Sequence, residues 1–154
     1  MIEYFLVFIL WTLMLYLNHR LAHVLPYVKN IHADHHKQVI QQSVGWHWST
    51  LFLYVDTVKS TADQWITEVI PTLIFCWITG HWWIAIFYYV WAALIQEAVE
   101  HNPRVNLYPF ITSGKWHLIH HKYPHKNYGV FFPIWDMLFG TWKGLDGNVQ
   151  KLAD

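Results

Sequence analysis

The sequence predicts an all-α integral membrane protein with about three hydrophobic helices, one N-terminal and two in a helical hairpin, and a His-rich helical cap on the cytoplasmic side. Three observations predict it. Of 154 residues, 55% are hydrophobic and 19% aromatic while only 13% are charged, an unusual balance for a water-soluble domain. The apolar residues gather in runs at about 2–17, 65–79 and 82–96. Every Lys and Arg lies outside these runs, in the polar stretches 18–63 and 97–154.

The first run has Glu3 and Thr12 as its only clear exceptions, and no Gly or Pro interrupts it before Pro26, so it reads as a helix. Sixteen residues would span roughly 24 Å, short of a hydrocarbon core of about 30 Å. Continuation through Leu25 supplies the missing length and sets His19 and His23 just past the membrane face. A cleavable signal peptide is disfavoured by the absence of a basic leader and a small-residue cleavage site.

The second region, Trp65 to Ile95, breaks at Thr79, Gly80 and His81, with Pro71 expected to kink its first arm. Each arm is short enough to be tilted, extended by its flanks or re-entrant. Trp46, Trp48, Trp65, Trp82 and Trp83 sit near the ends of apolar stretches, as interfacial aromatics do. The distribution of Lys and Arg places both polar stretches on the cytoplasmic side and the N-terminus and hairpin tip opposite. The two His-rich stretches can then meet, within a single domain spanning 1–154 whose tail from Asp146 is simply polar.

Charge and cysteine content exclude several functions. Ten basic and ten acidic residues cancel and no basic run attracts a phosphate backbone, so nucleic acid is not an expected partner. Cys76 is the single cysteine, which excludes an intramolecular disulfide and a thiolate cluster and leaves a small buried hydrophobe.

Histidine is the outlier, with twelve residues. The spacing runs His19-x-x-x-His23, His32-x-x-His35-His36, a separate His101, then His117-x-x-His120-His121. Two copies of the five-residue pattern would arise by chance in only a few chains per thousand, a rough count. On a helix, positions i, i+3 and i+4 share a face, so each cluster can offer two or three imidazoles to one point. Eight or nine neutral imidazoles exceed what one ion accepts, which implies two metals.

A structural zinc site would leave half of them unused. Haem ligation uses histidines on facing transmembrane helices rather than triplets beyond them. A solvated or pH-responsive patch is the remaining bland reading. His101, directly after the second arm, is expected to be a ligand. His125 is a candidate for a metal or supporting role, whereas His47 and His81 are not expected to bind.

At this point the residues match a family. The segments HRLAH (19–23), IHADHH (31–36) and WHLIHH (116–121), followed by KNYG (126–129) and FPIWDMLFGTW (132–142), resemble the fatty acid hydroxylase and sterol desaturase superfamily over residues 16 to 143. The resemblance implies a helical membrane scaffold whose cytoplasmic cap holds two iron ions, activating O2 to oxidise a C–H bond of an acyl chain, sterol or related lipid. Zinc could replace iron in purified protein.

The eight box histidines would be ligands and His101 the additional one. Some members carry another histidine where this chain has Glu97, which could ligate, form a salt bridge or leave a metal one ligand short. The chain is shorter than comparable members and is expected to lack an N-terminal helix pair and a fused cytochrome b5-like domain. A separate electron donor of cytochrome b5 or ferredoxin type is therefore expected, and a homo-oligomer could replace missing membrane contacts.

Ligating histidines usually donate their other N–H to a carboxylate or carbonyl. Asp34, Glu100 and Asp136 are the candidates, with Asp136 preferred because an unpaired carboxylate between Trp135 and Met137 would be costly. Asn127, Tyr128 and Gly129 are expected to shape a turn. Pro109 and Pro133 punctuate the cap, and Phe131, Phe132, Trp135, Phe139 and Trp142 read as packing. Hydroxylation is the leading expectation. Desaturation and carotenoid-type ring hydroxylation or ketolation use the same metals. A non-catalytic membrane metal-binding protein is the different class, although a transporter would want ionisable residues inside its apolar segments.

Overall fold

A computed structural model describes residues 1–40, 46–108 and 111–144; Pro109 and the tail from Asp146 lie outside the described residues. Among the described residues all regular structure is helical, apart from one isolated bridge between Asn106 and Gly114.

α1 runs Ile2–Ala22, about 31 Å at 1.5 Å per residue. It is the one described helix long and apolar enough to cross a membrane. The chain then reverses tightly: the N–H groups of Val24 and Leu25 each donate to the Leu21 carbonyl at 2.9 Å. Pro26, which needs no N–H partner in a first turn, opens α2, Pro26–Ile40.

A 3-10 turn, Trp48–Phe52, is capped by His47, whose side chain accepts from Ser49 N–H. α3, Val58–Gln64, starts at Thr57, whose hydroxyl accepts from Ser60 N–H at 3.1 Å. It runs without a break through a π turn, Trp65–Val69, into α4, Ile70–Thr79. Pro71 has no N–H to offer the Thr67 carbonyl, and a widened π turn lies just before it.

Gly80, at φ 76°, closes α4. The return arm comprises α5, Trp83–Val90, a second π turn, Trp91–Gln96, and the short α6, Glu97–Val99. Both arms outrun the expected 65–79 and 82–96, because hydropathy does not register the polar helix ends Val58–Gln64 and Glu97–Val99. The cap is completed by α7, Lys115–Lys122, and α8, Ile134–Leu138.

The core lies where Trp11 and Leu15 of α1 meet Val69, Cys76, Ile84, Tyr88 and Trp91 of the hairpin and Phe131 of the cap. Trp11 Nε1 donates to Thr72 Oγ1 at 3.0 Å, fixing α1 against α4. The outward faces of the same helices are apolar and exposed, including Phe5, Leu6, Leu10, Trp77, Ile78 and Ile86. Such a belt suits lipid rather than water. At one end His81 Nε2 stands 3.3 Å from Glu3 Oε1, so the hairpin tip and the start of α1 lie together, with the histidine boxes at the far end of α1.

Candidate metal centre

Nine histidines converge at that far end in two groups. His19, His23, His32, His36 and His120 form the first; His35, His101, His117 and His121 form the second. Within each group one nitrogen per ring lies within 4.8 Å of that of every other ring. Two nitrogens on one ion at about 2.0–2.1 Å stand at most about 4.2 Å apart, so both groups are within an ångström of ligating geometry. The groups abut, with the rings of His36 and His121 centred 4.3 Å apart.

Each triplet offers two imidazoles to one group and its third to the other. α2 sends His32 and His36 to the first group and His35 to the second; α7 sends His117 and His121 to the second and His120 to the first. The cause is helical geometry. At about 100° per residue, i and i+4 stand about 40° apart, whereas the i+3 residue stands about 100° from i+4. Each triplet therefore straddles the two positions.

The nitrogens that face inward meet at distances that lone pairs alone do not tolerate. His36, His32, His23 and His120 form a chain of Nε2 contacts at 3.0, 3.0 and 3.1 Å, and His121 and His117 Nε2 approach to 2.8 Å. Three Nδ1 atoms are taken by hydrogen bonds: His19 to the Tyr128 carbonyl at 2.8 Å, His120 to the Lys126 carbonyl at 2.7 Å and His32 to Asp63 Oδ2 at 2.8 Å. A proton on Nδ1 leaves the Nε2 lone pair pointing inward. His19 Nε2 is buried without a hydrogen-bond partner among the described residues. This donor set fits a divalent metal in each group.

Burial, then neighbouring imidazoles, holds the rings of His23 and His36 at a pKa of about 3; burial does the same to His101. His35, His117, His120 and His121 are lowered for the same reasons. The rings are thus neutral at physiological pH, the state in which imidazole ligates.

Other candidates are placed elsewhere. His125 is exposed and joins neither group; it acts on His23 only through space. Asp34, two residues from His32 and so on the opposite side of α2, reaches Lys59 at 3.6 Å instead. Glu97 is in neither group, although it is buried beside them. Asp136 touches no histidine: it accepts from the N–H groups of Tyr128 and Gly129 and from Thr141 Oγ1, at 2.8, 2.8 and 2.7 Å. It thereby fixes the turn whose Tyr128 carbonyl holds His19. Asn127, at φ 53°, closes that turn by accepting from Lys143 N–H at 2.7 Å.

The carboxylates that do face the histidines are Asp63, on His32, and Glu100, whose Oε1 lies 3.7 Å from His117 Nδ1. Each group thus has one carboxylate behind it. Glu100 was among the sequence candidates; Asp63, distant in sequence, carried no motif.

Comparison with known proteins fits this arrangement. The fatty acid hydroxylase family model matches residues 4–141. The chain belongs to the fatty acid hydroxylase family. Within its wider circle, the chain is similar to the Delta(7)-sterol 5(6)-desaturase of Saccharomyces cerevisiae, 26% identical over 99% of this chain and 40% of that protein. The corresponding enzymes of Eremothecium gossypii and Leptosphaeria maculans are each 28% identical, over 95% and 94% of this chain and 40% and 38% of theirs. The chain spans about two fifths of the length of these curated relatives. No solved structure matches it at comparable significance.

Proposed function

We propose that this chain carries out O2-dependent, di-iron hydroxylation of a C–H bond in a membrane lipid, acyl chain or sterol-like molecule. The observation that carries the reading is the pair of abutting histidine groups, five and four strong, within a family of lipid oxidases. His19, His23, His32, His36 and His120 would hold one iron, and His35, His101, His117 and His121 the other. Bound iron would supply O2 activation and removal of hydrogen from an unactivated carbon, which no unaided side chain performs.

The chain's own residues would orient and shield that chemistry. Tyr128, Lys126 and Asp63 fix ring direction through Nδ1. α1 would cross the membrane with the hairpin arms beside it and the histidine end on the cytoplasmic side, where Lys and Arg favour it. O2 reduction needs two electrons beyond those the substrate yields, and a cytochrome b5- or ferredoxin-type donor could deliver them.

A second reading, desaturation, is favoured by the three relatives, all described as desaturases. The test is mass analysis of lipids after incubation of the iron-loaded chain with reductant, O2 and either sterols or fatty acids. A product that has gained one oxygen supports hydroxylation, and one that has lost two hydrogens supports desaturation. Iron binding without O2-dependent product would contradict both and leave a metal-binding protein.

A further inference from the structure

A small cavity, about 40 Å³ in volume, lies beside the two histidine groups. Four carboxylates line it, Asp63, Glu68, Glu97 and Glu100, and no Lys or Arg does. Two of these side chains stand behind histidines, as described. Glu68 and Glu97 contact no histidine through any hydrogen bond or ion pair among the described residues.

Glu68 lies within the apolar 65–79 run. It accepts from Tyr88 Oη at 2.9 Å and from Gln96 Nε2 at 3.3 Å; Gln96 also donates to Glu100 Oε2 at 2.9 Å. Glu97 is 6% exposed, and its Oε2 has no hydrogen-bond partner among the described residues. Four acidic groups packed in low dielectric without a cation are strongly unfavourable to one another. Two divalent ions on neutral imidazoles are equally unbalanced, with four positive charges and no anionic ligand. His19, His32, His35 and His117, from both groups, line the same cavity as the acids, so each imbalance faces the other.

We infer that Glu68 and Glu97, with Asp63 and Glu100, are the countercharge of the metal centre, positioning residues that raise its affinity for divalent ions without ligating them. The inference rests on the dinuclear reading above. It assigns an electrostatic reason for an acid placed within an apolar arm, where an uncompensated charge is expensive. It also accounts for the unpartnered Glu97 oxygen, which faces positive charge when the sites are filled.

The test uses the full chain in detergent micelles at pH 8, stripped of metal and titrated anaerobically with cobalt(II), read by visible absorbance. Thermal unfolding of the metal-free chain is followed in parallel. Glu68→Gln is expected to weaken cobalt binding by about tenfold or more while raising the unfolding temperature of the metal-free chain. The opposite signs separate countercharge from a merely structural role, which would lower both. Glu97→Gln repeats the test at an oxygen with no hydrogen bond to lose, and still takes two cobalt ions if Glu97 is not a ligand. Unchanged cobalt affinity in both variants, or loss of one ion in Glu97→Gln, would overturn the inference and leave the dinuclear reading standing. Wild-type chain that takes up no cobalt would overturn the dinuclear reading itself.

Discussion

His120 and His121, neighbours on α7, face different histidine groups: His120 belongs to the five-histidine group and His121 to the four-histidine group. Single substitutions should therefore be unequal. His121→Ala leaves three ligands in its group and should lose that ion under mild chelation, while His120→Ala leaves four and should retain more of its own. Metal per chain after dialysis checks this. Parallel loss of both ions from both variants would mean that the α7 triplet serves a single position.

Asp63 is expected to matter and Asp34 is not, although only Asp34 sits inside a histidine box. Asp63→Asn weakens the partner of His32 Nδ1 and should lower metal affinity by about 10–100-fold. Asp34→Asn removes a solvent-exposed contact with Lys59 at 3.6 Å, the kind of pair that contributes about 0–1 kcal/mol. Side-by-side metal titrations of the two variants decide the matter.

The Asp136 turn should be a point of structural weakness. Asp136→Ala strands the buried N–H groups of Tyr128 and Gly129 and is expected to destabilise the chain by about 2–4 kcal/mol. It should also loosen His19. Gly129→Ala acts at the same place, since a Cβ there would collide with the Phe132 carbonyl and Asp136 Oδ2. Thermal unfolding in micelles, with metal occupancy read in the same samples, is the check.

Acid should destabilise the metal-free fold in a defined window. His23, His36 and His101 fall to a pKa of about 3 when folded, against about 6.5 unfolded. Between these values the unfolded chain binds more protons than the folded one, so stability falls as pH drops. Protonation of the crowded acids acts in the opposite direction, so the histidine effect is read in a Glu68→Gln, Glu97→Gln background, where the unfolding temperature should respond little to histidine above about pH 7 and decline below about pH 6.5. A rise on acidification would contradict neutral buried rings.

Much of this was legible in the sequence, and the failures have physical causes. Uninterrupted apolar runs and the Thr79–His81 break mark α1 and the hairpin, and the repeated triplet marks the faces of α2 and α7 that converge on the histidine groups. The division of each triplet between two positions was not legible, because it depends on how α2 and α7 are rotated against each other. Asp34 attracted attention by lying inside a histidine box, and Asp136 by its apolar setting between Trp135 and Met137. Asp34 is turned away by helical periodicity, and Asp136 is committed to backbone N–H groups eight and seven residues back. Asp63 reaches His32 only through the packing of α3 on α2, which no local pattern announces. Glu68 was hidden within an apolar arm, where one acid does little to mean hydropathy.

The most direct test of the central claim is the iron content of anaerobically purified wild-type chain against a His120→Ala, His121→Ala double variant, which removes one ligand from each group. About two irons per wild-type chain, reduced in the variant with the ion of the four-histidine group lost first, is the predicted result. One metal or none in the wild type, or two retained by the double variant, would contradict a dinuclear centre built from these histidines.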